Sequence, residues 1–313
     1  MVWILAVLLL VSSAQADVIR KHRTASQFMG SSEGTSTDYY SSDRHSSEST
    51  LRWTAGMMKT LSRGKETLST QITRLDRELV WTLDPGKKTY TEMTFAEFRE
   101  MMKKSMTEME KSEEEQPDTV AEDMYTWTVQ DLSDPQPKTI SGWVCRNAHI
   151  EATGVNKADS LDKVIIGMDL WNSTEVPGAD EIRGFQTRYL QALGLDELGL
   201  TPGLAQAAFL YQKQFEALTE AARKAPGEPV QNVIEIKRHQ LKGPSVGKAV
   251  AEGARQEVLG RLPFGKKKSE PKPEKPEYVL KTKFRVSTEL TEATATPVDA
   301  AKFEIPAGYK LKK

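Results

Sequence analysis

Two stretches hold side chains from which a catalytic centre could be built. One is Cys145 with His149; the other is the run Ser41-Ser42-Asp43-Arg44-His45-Ser46-Ser47, which sets an acid and an imidazole among four serines. A thiolate beside an imidazole is a nucleophile–base dyad, or the start of a metal site. On a strand, residues four apart share a face but lie about 13 Å from each other, at roughly 3.3 Å per residue. That spacing favours two ordinary sheet residues. A Ser-His-Asp triad draws its members from different segments held by a rigid scaffold, so proximity along one run is weak support for a hydrolase. The remaining histidines, His22, His45 and His239, show no ligand spacing. Gly243-Pro244-Ser245-Val246-Gly247-Lys248-Ala249 has three residues between its glycines instead of four, and Ala249 stands where a phosphate loop needs a hydroxyl for magnesium. No cofactor or metal is expected, and the enzyme reading rests on no positive feature.

The methionines suggest binding instead of catalysis. Of eleven, Met93, Met101, Met102, Met106 and Met109 cluster in or beside one helical pattern. Flexible, polarisable thioethers adapt to ligands of variable shape such as acyl chains, although they fill ordinary cores as well.

The elements that must position these residues follow from periodicity. Residues 24–50 hold thirteen Ser or Thr, which suits either polar disorder or wet-faced edge strands, and Tyr39 with Tyr40 favours strands. Leu75, Leu79, Trp81 and Leu83 share a parity before the turn Asp84-Pro85-Gly86-Lys87, which predicts a hairpin. Thr94 with Glu97 makes a capping box, followed at helical spacing by Phe95, Phe98, Met102, Met106 and Met109. Tyr125, Trp127 and Val129 form one strand face; Ile140, Val144, Ala148 and Ile150 another; Val164, Ile166, Met168 and Leu170 a third. Helices are expected over about 181–193, from Thr201-Pro202 to Ala222, and over 245–259. Strands are expected at 230–241, at 278–290 with Tyr278, Leu280, Phe284, Val286 and Leu290 on one face, and at 303–311. Residues 265–277 hold five Lys, three Glu and three Pro and read as an exposed loop. Strand runs joined by hairpins argue against parallel winding and for an α+β fold, with helices on one face of an antiparallel sheet.

Three segments, LVWTLDPGKKTYTEMTFAEF (79–98), KTISGWVCRNAHI (138–150) and FEIPAGYKL (303–311), together resemble an uncharacterised family of bacterial envelope domains. That family is similar in turn to the lipoprotein-carrier fold of LolA, LolB and LppX. The resemblance implies a curved antiparallel half-barrel around a few helices with a lipid-sized apolar cavity. It carries no catalytic residues. The helical insertions at about 178–226 and 245–262 exceed what a minimal half-barrel needs.

The amino terminus supplies the compartment. The apolar run Val2 to Val11, then Ser12, Ser13 and Ala14-Gln15-Ala16, has the form of a signal peptide over residues 1–16 cut before Asp17. The expectation is a single domain over 17–313, periplasmic or secreted, with no transmembrane segment in the mature chain. A net charge of −1 gives no field for nucleic acid. The favoured reading is a non-enzymatic protein binding a lipid or other hydrophobic ligand, with Trp81, Phe95, Phe98, Met102 and Phe284 as candidate lining residues. The alternative is a filled-core module for an envelope protein partner.

Overall fold

The computed structural model describes residues 17–28, 30–104, 124–194, 218, 220, 225–241 and 278–312. Six strands come first: β1 (Val18–Gln27), β2 (Ser31–Ser41), β3 (Arg44–Ala55), β4 (Glu66–Arg74), β5 (Leu79–Asp84) and β6 (Thr89–Thr94). A short helix α1 (Gly56–Ser62) follows β3, and a 3-10 turn, Leu75–Arg77, precedes β5. After helix α2 over 95–104 come β7 (Tyr125–Asp131), β8 (Lys138–Ile140), β9 (Trp143–Asn156), β10 (Lys163–Ser173), α3 (Ala179–Leu193), β11 (Glu228–Leu241), β12 (Tyr278–Ala295) and β13 (Lys310–Leu311).

Laterally the strands run β13-β6-β5-β4-β3-β2-β1-β12-β11-β10-β9-β7, with β8 pairing β9. Every pairing is antiparallel except the two-residue parallel contact of β13 with β6. The result is an open, curved, mostly antiparallel sheet built from two meanders. They join where β1 pairs β12, from Val18 opposite Ala295 to Gln27 opposite Arg285.

Local chemistry explains much of this. The hydroxyl-rich start forms three strands, tied across by Ser26 with Ser32 (2.6 Å) and Thr35 with Thr50 (3.1 Å between hydroxyls). The β5–β6 turn closes as expected: the Lys87 amide donates to the Asp84 carbonyl (3.2 Å) and to Asp84 Oδ1 (3.0 Å). At α2 the capping box is complete. The Glu97 amide donates to Thr94 Oγ1 (3.2 Å), and the Thr94 amide donates to Glu97 Oε2 (2.7 Å).

Three expectations need correction. Residues 138–150 do not form one strand. Ser141 (φ 50°) and Gly142 (φ 93°) make a two-residue hairpin turn with both φ positive, so Val144 pairs with Thr139 and is 52% exposed while Cys145 is buried. In β12 the face slips at a bulge. Ile236 pairs with Phe284 and Lys237 with Thr282, which leaves Lys283 extra and Leu280 exposed. The terminal strand is only Lys310–Leu311. Phe303 instead ends a 3-10 turn, Ala300–Phe303, and is fully buried. Helix α1 had no forewarning in the periodicity. The helix expected over 245–259 and the 265–277 loop lie outside the described residues, as do residues 1–16. Within the segment from Thr201 to Ala222, the described residues Leu218 and Glu220 are helical.

Register assigns the two faces. One bears Val18, Arg20 and His22 of β1, then Tyr40 and Asp38 of β2 and His45 of β3. Helix α3 packs on it, with the Phe185 ring 5.6 Å from Tyr40 and 5.7 Å from His45. The same helix-bearing face continues through Leu290 and Phe284 of β12 into Ile234 and Ile236, Met168 and Ile166, and Ile150 and Ala152. These last six belong to the largest core cluster, which Leu218 joins. The opposite face of β3–β5 holds Ile72, Trp81 and Leu83, against which Ile305 and Tyr309 of the carboxyl-terminal segment pack.

Candidate functional site

The helix-bearing face is divided chemically. Over β9 to β12 it is apolar; over β1 to β3 it carries ionisable groups and hydroxyls, most of them withdrawn from water. Between them, Thr24 of β1 stands opposite Thr288, which stands opposite Asn232 of β11. Asn232 Oδ1 is buried without a hydrogen-bond partner among the described residues.

Asp38 is the centre of the polar half and is 9% exposed. Its Oδ1 lies 3.2 Å from His45 Nε2, its Oδ2 lies 3.7 Å from His22 Nε2, and Ser36 Oγ donates to Oδ2 (3.0 Å). Burial opposes the charge on Asp38. The hydrogen bond and charge of His45, with His22 and Ser47, outweigh it and hold the carboxyl below the ordinary range. His22 moves down as well: burial dominates, Asp38 pulls back, and Arg20 reinforces the drop. Tyr40 stacks on His45 at 4.4 Å, and burial together with Asp38 pushes its phenol upward.

Arg20 stands beside this cluster, 6% exposed. Its Nη1 donates to Glu228 Oε2 (3.3 Å), and the other Glu228 oxygen accepts from Arg183 Nη2 (3.1 Å), tying β1, β11 and α3 together. Arg20 Nε and Nη2 are buried with no acceptor among the described residues, and His22 Nδ1 is buried there with no hydrogen-bond partner. Nε–H and Nη2–H form one edge of the guanidinium, the fork that matches a carboxylate or phosphate side-on. Arg74 uses that edge to grip Asp76, at 2.8 and 2.6 Å. On Arg20 the same edge is buried and meets no acceptor among the described residues.

The arrangement does not assemble a nucleophile. His45 turns to Asp38, not to Asp43, whose carboxylate instead lies 3.6 Å from Arg44 Nε. Gly30-Ser31-Ser32-Glu33-Gly34 has the Gly-x-Ser-x-Gly spacing of a nucleophile elbow. Here it spans a turn and a strand instead of a strand-to-helix turn, and Ser32 Oγ is buried against Ser26. Cys145 is fully buried beside Ile140 and Val230, and burial raises its thiol pKa. Among the described residues no three His, Cys, Asp or Glu side chains converge as metal ligands.

The five expected lining residues are not brought together. Phe284 lies on the helix-bearing face, half-buried against the large cluster and edge-on to Phe28 at 6.2 Å. Phe95 is fully buried at the junction of α2 and α3, edge-on to Tyr189 at 5.7 Å. Phe98 and Met102 are half-buried on α2. Trp81 is on the opposite face, 5% exposed, with its Nε1 donating to Glu92 (2.8 Å) and Arg77 over its ring at 5.6 Å. It belongs to a packed cluster flanked by a cavity of about 620 Å³ that Ile72, Leu83, Ile305 and Tyr309 help line. Arg20, His22, Asp38 and Asn232 were missed. The available signal was parity: Val18, Arg20 and His22 put charged residues on the alternation that buries Val18.

No protein-family model matches the chain, and no curated protein matches it.

Proposed function

We propose that the protein is an exported, non-enzymatic envelope protein that binds an amphiphile, a lipid or acyl chain with a polar head, on the helix-bearing face of a LolA-like half-barrel. One observation carries the reading. The apolar strands β9 to β12 pass directly into a buried polar strip in which Arg20 holds two neighbouring N–H groups without an acceptor among the described residues. Buried donors without partners cost stability that an oxyanion would restore. An acyl chain on the apolar half would gain about 0.8 kcal/mol per buried methylene. Phe284, with Phe28, would border the chain. Asp38, His22 and His45 are given no catalytic part; they hold the sheet and α3 together around Arg20.

The test is native mass spectrometry with lipid extraction on gently purified protein, followed by titration with a fatty acid and the fatty alcohol of equal length. The expected result is a stoichiometric apolar adduct and tighter binding of the acid. Arg20→Gln should weaken the acid by about tenfold and leave the alcohol unchanged, while Phe284→Asp should weaken both. A clean apo mass with no uptake of either probe would overturn the reading in favour of a filled-core module for an envelope protein partner.

A further inference from the structure

Helix α1 is formed but packs nothing away. None of its residues is buried; Met57 is 62% and Leu61 67% exposed. A seven-residue helix is too short to be stable by propensity alone, and its carboxyl end is closed by backbone bonds from Arg63 to Thr60 (3.2 Å) and from Gly64 to Lys59 (3.0 Å). The structure therefore holds an apolar protrusion in water without core burial to reward it.

Its surroundings say what would cover it. The turn between β1 and β2 sits against the start of α1: a Cβ on Gly30 would stand 2.5 Å from the Ala55 carbonyl oxygen. Phe28 of that turn is 53% exposed. Residues 51–65, Leu-Arg-Trp-Thr-Ala-Gly-Met-Met-Lys-Thr-Leu-Ser-Arg-Gly-Lys, contain four cations and no acid, in a chain whose net charge is −1. Arg52, Lys59, Arg63 and Lys65 are all exposed. Glu33 lies 3.7 Å from Arg52, and Glu66 begins β4 directly after Lys65.

Projecting apolar side chains ringed by cations fit a surface that is apolar beneath and anionic on top. We infer that α1 and the Phe28 turn dock this end of the sheet onto an anionic lipid bilayer. The contact is interfacial: among the described residues no helix is long and apolar enough to cross a membrane. Its anchors on α1, Met57, Leu61, Lys59 and Arg63, take no part in the proposed ligand site; Phe28 alone is shared with it.

Flotation of the full chain with phosphatidylcholine vesicles, with and without phosphatidylglycerol, tests the inference. Binding should favour the anionic vesicles by about tenfold or more and weaken as salt is raised. Met57→Asp with Leu61→Asp should abolish it, and Lys59→Glu with Arg63→Glu should remove the preference for the anionic lipid. Because these side chains are exposed, circular dichroism and urea midpoints should not change, which separates lost docking from lost folding. Absence of vesicle binding, equal binding to both vesicle types, or binding untouched by either pair of substitutions would overturn the inference. Salt-sensitive capture of an acidic protein by this surface, without vesicle binding, would also do so.

Discussion

His22 is a histidine placed where its charged form is unwelcome. Burial lowers its pKa despite Asp38 nearby, so the folded state resists a proton that the unfolded chain accepts near the ordinary histidine value of about 6.5. Stability from this group is therefore full at neutral pH and above, and is lost as pH falls through that value. Asp38 has the carboxylate sign. Its carboxyl is held below the ordinary range, so its contribution persists above about pH 4 and is lost as pH falls further. The expected outcome is a urea midpoint that declines from about pH 7.5 to 5 in the native chain and declines less in His22→Gln. Equal slopes would show that His22 titrates alike in both states. At this scale the sequence offered little: His22, Asp38 and His45 come from three strands, and only register puts them within reach of one another.

Elements were more legible, because helix caps and turns are local. Thr94 with Glu97, the Asp84–Lys87 turn and the alternation Val164, Ile166, Met168, Leu170 all form as the spacing predicts. Ser141-Gly142 is equally local, yet its hairpin is masked in the sequence by an apolar pattern that continues across it. The helix ends give a graded test. Gly178 caps α3 with φ 69°, and a Cβ there would stand 2.3 Å from Val18 Cγ2. Gly178→Ala thus meets both a strained backbone and a filled space and should cost about 2 kcal/mol or more. Thr94→Ala loses one cap and should cost about 1 kcal/mol. Urea unfolding of both variants measures the order, and a smaller loss at Gly178 would mean that α3 can lift from β1 cheaply.

At the scale of the molecule, the defining contact is between the first strand and the last long one. The β1–β12 pairing unites two meanders that are each open at that edge. The segment after β12 then returns to cover the first meander: Arg74 donates to the Phe303 carbonyl (3.3 Å), and Ile305 and Tyr309 pack on Ile72, Trp81 and Leu83. Chain halves cut between α2 and β7 should each fail to fold alone, since each exposes a long unpaired edge and an uncovered apolar face. Amide proton NMR dispersion of each half, and its recovery on mixing, checks this. Independent folding of residues 17–104 would refute it.

What the sequence determined by itself was local: strand alternation, the caps and turns, and the α+β class. These depend on backbone sterics and on neighbours within a few residues. Only the tertiary structure decided that Trp81 and Phe284 lie on opposite faces, that Asp38 serves two histidines, and that the guanidinium edge of Arg20 meets no acceptor among the described residues. Each depends on which strand pairs with which and in what register. A one-residue slip in pairing sends every side chain to the other face, and residues far apart in the chain carry no local mark of it.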